Sequence, residues 1–246
     1  LSAVVHIDPP SEEAKRLWAR ALELAAEFGA DERWALVGGL MVQLHAFERG
    51  SGSRLTADAD FLGDSRRRPA MTMRMAEVLT KRGAEMAMPP VSAENLGYRF
   101  EVDGSIVEIL GSEGVRSDPK TVGKYVTFQV PGGTQALARA EVVHVSLDGA
   151  DPVPVRRPSL LGAILIKARV VAKQREEKFG SDRQDLVRLL GFVDDPRAMG
   201  EELRKSEKNW LCEVEALLDF ADLALADLFS VADLTSAESA YRLLVA

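Results

Sequence analysis

"SGSRLTADADFL" spans residues 51 to 62. It sets Arg54, Thr56, Asp58 and Asp60 on alternate positions, with Leu55, Ala57, Ala59 and Phe61 between them. A period of two marks a β-strand with one polar and one apolar face. The polar face carries two carboxylates, a hydroxyl and a guanidinium, so it is either ordinary solvated surface or a place to hold a metal. Side chains at i and i+2 of a strand point the same way, about 6.5–7 Å apart. Asp58 and Asp60 can therefore share one cation or bracket two.

The residues ahead of this strand sharpen the question. "WALVGG" (34–39) reads as a short apolar strand running into Gly38 and Gly39, and "LMVQLHAFERG" (40–50) as a helix closed by Gly50. Glycines at a strand-to-helix junction let backbone approach a ligand closely. The helix start offers free N–H groups to an anion such as a phosphate. Further on, "LGYRFEVDGSIVEIL" (96–110) predicts a hairpin turning at Asp103-Gly104. Its second arm, "SIVEIL", is apolar on both sides with Glu108 in the middle. An acid in such a run either points to solvent at an edge or meets a metal. If the two strands are neighbours, Glu108 completes a cluster of three carboxylates, whose mutual repulsion calls for a divalent cation.

The bulk properties set limits. The 246 residues suffice for one large domain or two modest ones, and 46% apolar with 28% charged residues is ordinary for a globular chain. Cys212 is the single cysteine, which excludes an internal disulfide and a cysteine-rich zinc site. His6, His45 and His144 show no metal-ligand spacing. No stretch approaches the ~20 apolar residues of a membrane span, and none reads as a signal peptide, so a cytoplasmic protein without membrane contact is expected. The net charge of -7 argues against a general nucleic-acid binder, but residues 156 to 188 hold nine Arg or Lys against four Asp or Glu. An anionic partner is expected there.

The order of elements is α+β. "SEEAKRLWARALELAAEFGA" (11–30) is an amphipathic helix with Ser11 as N-cap and Leu17, Ala21, Leu24 and Phe28 on one face. A helix follows at 68–83, and further strands at "YVTFQV" (125–130) and "EVVHVSL" (141–147). "DPVPVRRP" (151–158), with its three prolines, reads as a linker. Beyond it the pattern is helical at about 158–178, 182–190, 196–206, 210–229 and 235–245. The expectation is an α/β domain over 1–155 and a helical domain over 156–246. Trp18, Trp34 and Trp210 are expected as core or interface anchors, and His45 as a packed or surface histidine.

Taken together, strand-Gly-Gly-helix, then R-x-T-x-D-x-D-F (54–61), then a later acid in a strand resembles the DNA polymerase β-like nucleotidyltransferases. The resemblance is nearest to the AbiEii/MenT-type toxin nucleotidyltransferases. Eighteen residues separate Gly39 from Asp58, longer than in many relatives. "VPVRRPSLLGAILIKARVVAKQREEKFGSDRQDLVRLL" (153–190) looks like a second signature, a helix bearing Lys167, Arg169, Lys173 and Arg175 followed by a D-x-x-D start at Asp182 and Asp185. Three positions depart from the pattern: Gly39 replaces a common serine, Glu108 a commoner aspartate, and Ser181 a usual basic residue.

The resemblance implies a polymerase β-like domain with a mixed sheet flanked by helices, followed by a C-terminal helical bundle. It implies transfer of a nucleoside monophosphate from a nucleoside triphosphate to an acceptor hydroxyl. Asp58, Asp60 and Glu108 would be catalytic and hold Mg2+ or Mn2+. Glu108 would assist a second ion or help deprotonate the acceptor. Gly38, Gly39, Arg54, Thr56, Lys167, Asp182 and Asp185 would bind the nucleotide, Lys167 also as a catalytic cation. Lys167, directly after "LLGAILI", is either snorkelling or reaching a triphosphate; Asp182 and Asp185 either orient it or contact the nucleotide. The implied partners are a nucleoside triphosphate, the 3′ end of a tRNA and a cognate antitoxin; the basic stretch either contacts RNA phosphates or is solvated surface, and for Arg66–Arg68 solvated surface is the expectation. A small molecule such as an antibiotic, a protein side chain, or a non-catalytic nucleotide-binding module are the alternatives.

Overall fold

A computed structural model describes residues 4–30, 32–52, 54–88, 95–173, 179–220 and 228–246. The chain divides into two compact units, 1–159 and 160–246.

The first unit contains β1 (Val4–Ile7), α1 (Glu12–Phe28), β2 (Trp34–Val37), α2 (Gly38–Glu48), β3 (Asp58–Gly63), α3 (Met71–Lys81), β4 (Glu85–Met86), β5 (Arg99–Val102), β6 (Ser105–Ser112), β7 (Gln129–Val130), α4 (Gly133–Ala138), β8 (Ala140–Leu147) and β9 (Val153–Pro158). One mixed sheet runs β2-β3-β6-β5-β4, with β7 beside β6; a three-stranded sheet runs β1-β8-β9. β3 and β6 are parallel, while β2 meets β3, and β5 meets β6, antiparallel. The hairpin turns where the sequence puts it. Asp103 at φ 48° and Gly104 at φ 73° are both left-handed, as a two-residue turn between twisted strands requires.

Period two divides β3 into two jobs. Ala59, Phe61 and Gly63 face helices α1 and α3, while Asp58, Asp60 and Leu62 face the other way. On the first face Phe61 meets Phe28 at 5.1 Å and Trp34 at 5.7 Å between ring centroids, all three fully buried. Each such side chain contributes about 1.5–3 kcal/mol by leaving water. The indole N–H of Trp34 donates to the Gly29 carbonyl (2.7 Å) and that of Trp18 to Gln43 Oε1 (2.8 Å), so neither ring buries an unmet donor. Ser11 caps α1 by accepting from the Ala14 N–H at 3.2 Å.

Three expectations are corrected. β3 starts at Asp58, so Arg54 to Ala57 lie outside the strand, and Leu55 is 54% exposed rather than on an apolar face. The alternation has no ladder to join there: β2 ends with Val37 opposite Asp60, and the pairing with β6 begins at Asp58 opposite Ile106. The "YVTFQV" strand shrinks to Gln129–Val130. The "DPVPVRRP" linker contains β9, paired with β8. Its prolines are tolerated because β9 is an edge strand, with backbone on one side unpaired.

α2, which begins at the glycine pair, is pinned at its other end. His45 is buried and its Nε2 lies 3.1 Å from the Pro158 carbonyl. Glu48 pairs with the buried guanidinium of Arg157, which also reaches Glu141 at 3.2 Å.

The second unit is helical: α5 (Leu160–Lys173), α6 (Phe179–Gly191), α7 (Pro196–Glu201), α8 (Lys205–Glu213), a 3-10 turn at Glu215–Leu217, and α9 (Val231–Val245). Leu161, Ile164, Leu165, Leu186, Leu190, Leu211 and Leu244 are buried in it, and the buried Tyr241 hydroxyl donates to the Leu211 carbonyl at 2.8 Å. Arg169 pairs with Glu213 and stacks on Trp210, 4.5 Å from the ring centroid. Arg175, the fourth cation named on the helix of the second signature, lies outside the described residues. No helix among the described residues is long and apolar enough to cross a membrane.

Burial, reinforced by nearby Arg157, pushes the His45 pKa well below its ordinary 6.5. The folded protein thus holds a neutral imidazole whose Nε2–H donates to Pro158, and the unfolded chain binds a proton more readily. The stability His45 supplies is fully present above pH 6.5 and is lost as pH falls toward its folded pKa, by up to about 1.4 kcal/mol per pH unit. Urea melts between pH 7.5 and 5 should show that slope, and His45→Gln should flatten it.

Candidate active site

The parallel register of β3 and β6 sets Asp60 directly opposite Glu108. Residues in register on neighbouring strands share a face, so both carboxylates stand on the side away from Phe61. Asp58, two residues before Asp60, joins them. One carboxylate oxygen from each of Asp58, Asp60 and Glu108 lies within 4.8 Å of the other two. Glu108 is only 9% exposed, which places an acid well inside the rim of the site.

The glycine pair has a structural explanation in the same geometry. Gly38 has φ +65°, and a Cβ on it would fall 1.7 Å from Asp60 Oδ2. A Cβ on Gly39 would fall 2.6 Å from the Thr56 side chain. Both glycines are bare because the carboxylate site and its Thr56 neighbour occupy the space. No side chain caps the start of α2, so its first N–H groups stand beside the acids, available to an anion.

Thr56 and Arg99 are among the groups that touch the acids. Thr56 donates its hydroxyl to Asp58 Oδ1 at 2.8 Å, fixing that carboxylate although Thr56 precedes the strand. Arg99, on β5 in register with Glu108, brings Nη1 to 3.4 Å from Glu108 Oε1. Arg99 was missed from the sequence, yet the signal was there. A two-residue turn at 103–104 pairs each residue before it with the one equally far after it, and that arithmetic sets 99 against 108. Arg54 sits ahead of β3, its carbonyl accepting from Gln43 Nε2 at 3.0 Å and its Nη1 donating to the Leu55 carbonyl at 3.1 Å.

The donor set suits a hard divalent cation. All three groups are carboxylates, the ligands magnesium and manganese favour. Two oxygens on one magnesium ion are at most about 4.2 Å apart, so a small side-chain rotation closes this set on a single ion. Without a cation, three carboxylates this close repel one another.

The second signature forms its own cluster inside the helical unit. Lys167 is buried, and its Nζ lies 2.7 Å from Asp182 Oδ1 and 2.8 Å from Asp185 Oδ2. Burial opposes its charge, but Asp185 and Asp182 outweigh that and hold its pKa above the ordinary value. In this arrangement the two aspartates orient the Lys167 ammonium.

No protein-family model matches the chain, and no curated protein matches it. Solved structures similar in shape include an antigenic nucleotidyltransferase-like protein from Paracoccidioides brasiliensis (18% identity, 94% of each chain, TM-score 0.48). They also include the antibiotic-resistance factor ANT(2'')-Ia (14% identity, 87% of this chain and 94% of that one, TM-score 0.41). A third is JHP933 from Helicobacter pylori (13% identity, 96% of this chain and 93% of that one, TM-score 0.43). At such identities and TM-scores the likeness describes shape, and chemistry has to be read from this chain's own residues.

Two substitutions follow from the site. Gly38→Ala should destabilise the protein by at least about 1–2 kcal/mol from the left-handed backbone alone and displace the Asp60 carboxylate, seen as a lowered Tm and weakened divalent-cation binding. Lys167→Ala should destabilise the protein in urea melts, by up to about 3–5 kcal/mol, because it removes a buried ammonium from between two carboxylates.

Proposed function

We propose that this protein is a metal-dependent nucleotidyltransferase, moving a nucleoside monophosphate from a nucleoside triphosphate to an acceptor hydroxyl. One observation carries the reading: Asp58, Asp60 and Glu108 converge on one face, beside a helix start kept bare by Gly38 and Gly39. A scatter of surface acids would not require glycine at the two positions where the neighbouring backbone passes.

Magnesium or manganese held by the three carboxylates would neutralise the phosphates and polarise the α-phosphorus. This chain's residues supply the rest. Thr56 keeps Asp58 oriented. The N–H groups at the start of α2 receive phosphate oxygens, and Arg54, whose carbonyl is held by Gln43 of α2, offsets charge on the triphosphate. Glu108 accepts the proton of the acceptor hydroxyl as its oxygen bonds to the α-phosphorus, and the bond to the departing pyrophosphate breaks. Catalysis of this type is mainly positioning and electrostatics.

For the acceptor, the likeness of the two sequence signatures to the AbiEii/MenT-type toxins favours a tRNA 3′ end, and with it an antitoxin that restrains the activity. A second reading, a small-molecule hydroxyl, draws on a structural observation. Arg157, Lys167 and Arg169 of the basic stretch are each engaged by carboxylates within their own unit, which removes them from an open phosphate track.

The test is incubation with Mg2+, each α-labelled nucleoside triphosphate and total tRNA, with aminoglycosides as small-molecule acceptors in parallel. Label on tRNA from one nucleotide is the expected outcome, and label on the small molecule would shift the acceptor. Asp58→Ala should lower transfer on the order of 10³-fold with an unchanged melting curve. Nucleotide binding without transfer to any acceptor would mark a non-catalytic module.

A further inference from the structure

Arg99 is the residue at the carboxylate site that neither signature contains. The two-residue hairpin turn fixes its register against Glu108, so its position is as determined as that of the acids. Its guanidinium is 3.4 Å from Glu108 Oε1, at the long end of an ion pair, and its side chain is 44% exposed. Glu108 itself faces Asp60 across β3 and β6. A positive charge is therefore built into the rim of the carboxylate site, on a side chain partly open to solvent.

We propose that Arg99 is an internal counter-cation of the site: it holds Glu108 against Asp60 before a divalent cation arrives, and then swings its guanidinium to the triphosphate of the incoming nucleotide. This inference rests on the nucleotidyl-transfer reading and adds a positioning residue to it. Two features make the exchange physically reasonable. A guanidinium cannot give up its proton, so it relieves repulsion among the carboxylates at any working pH. The same planar fork that meets a carboxylate meets a phosphate in the same way, so one group can serve both partners in turn. A divalent ion entering the site competes with it, since both neutralise Glu108.

The exchange makes opposite predictions for metal and nucleotide. Arg99→Gln removes a unit charge close to the ion, so Mn2+ binding to the nucleotide-free protein should tighten by about tenfold, the order expected a few ångströms away in a largely solvated site. The same variant should raise the KM for the triphosphate about tenfold with a smaller change in kcat, and Arg99→Lys should restore most of both. Mn2+ affinity is read by electron paramagnetic resonance on wild type, Arg99→Gln, Arg99→Lys and Asp58→Ala. Tightened Mn2+ binding with weakened nucleotide binding supports the proposal. Wild type that binds Mn2+ with an affinity unchanged or weakened in Arg99→Gln overturns the role of Arg99 alone. Wild type that binds no Mn2+, or binds it as well in Asp58→Ala, overturns the reading of the site itself.

Discussion

Asp60 facing Glu108 across a parallel strand pair is the constraint on which the rest of the first unit depends. Two acids held in register gain nothing from each other and must be held by something else. The other face of the same strands does that. Phe61, Val107 and Ile109 are fully buried among Trp34, Phe28 and Phe100. Slipping β3 by one residue would carry Phe61 into the carboxylate site and Asp60 into the aromatic core. The hydrophobic term that fixes the register therefore also fixes the acids, and electrostatic repulsion on one face is offset by burial on the other.

The surroundings of the acids follow from their position. Gly38 is needed because Asp60 fills the space a Cβ would take, and Thr56 turns in to hold Asp58. α2 carries Gly38 at one end and His45 and Glu48 at the other, tied to Pro158 and Arg157. The site is thus anchored through α2 to the three-stranded sheet. In the helical unit, the buried Lys167 with Asp182 and Asp185 ties α5 to α6. A buried ion pair of this kind adds little net stability, although removing one partner is costly.

How much was legible in the sequence varied with how local the cause was. The Asp103-Gly104 turn, the Ser11 cap and the period of two at Ala59 and Phe61 are set by a few adjacent residues, and they were readable as such. The start of β3 was not, because Leu55 and Ala57 continue the alternation while the strands that would pair with them have ended. β9 was hidden by prolines that an edge position tolerates. Lys167 looked outward from its sequence context because the two aspartates that bury it lie on a later helix. Arg99 was hidden for a different reason: it belongs to no motif, and only the register of the hairpin gives it meaning.

The central claim is that Asp58, Asp60 and Glu108 form a single cation site, and the most direct measurement is anomalous scattering from crystals soaked in Mn2+. A single site should give an anomalous peak at ~2.0–2.3 Å from oxygens of all three carboxylates. Crystals with ordered acids and no peak there, or with Mn2+ only at other carboxylates, would contradict it.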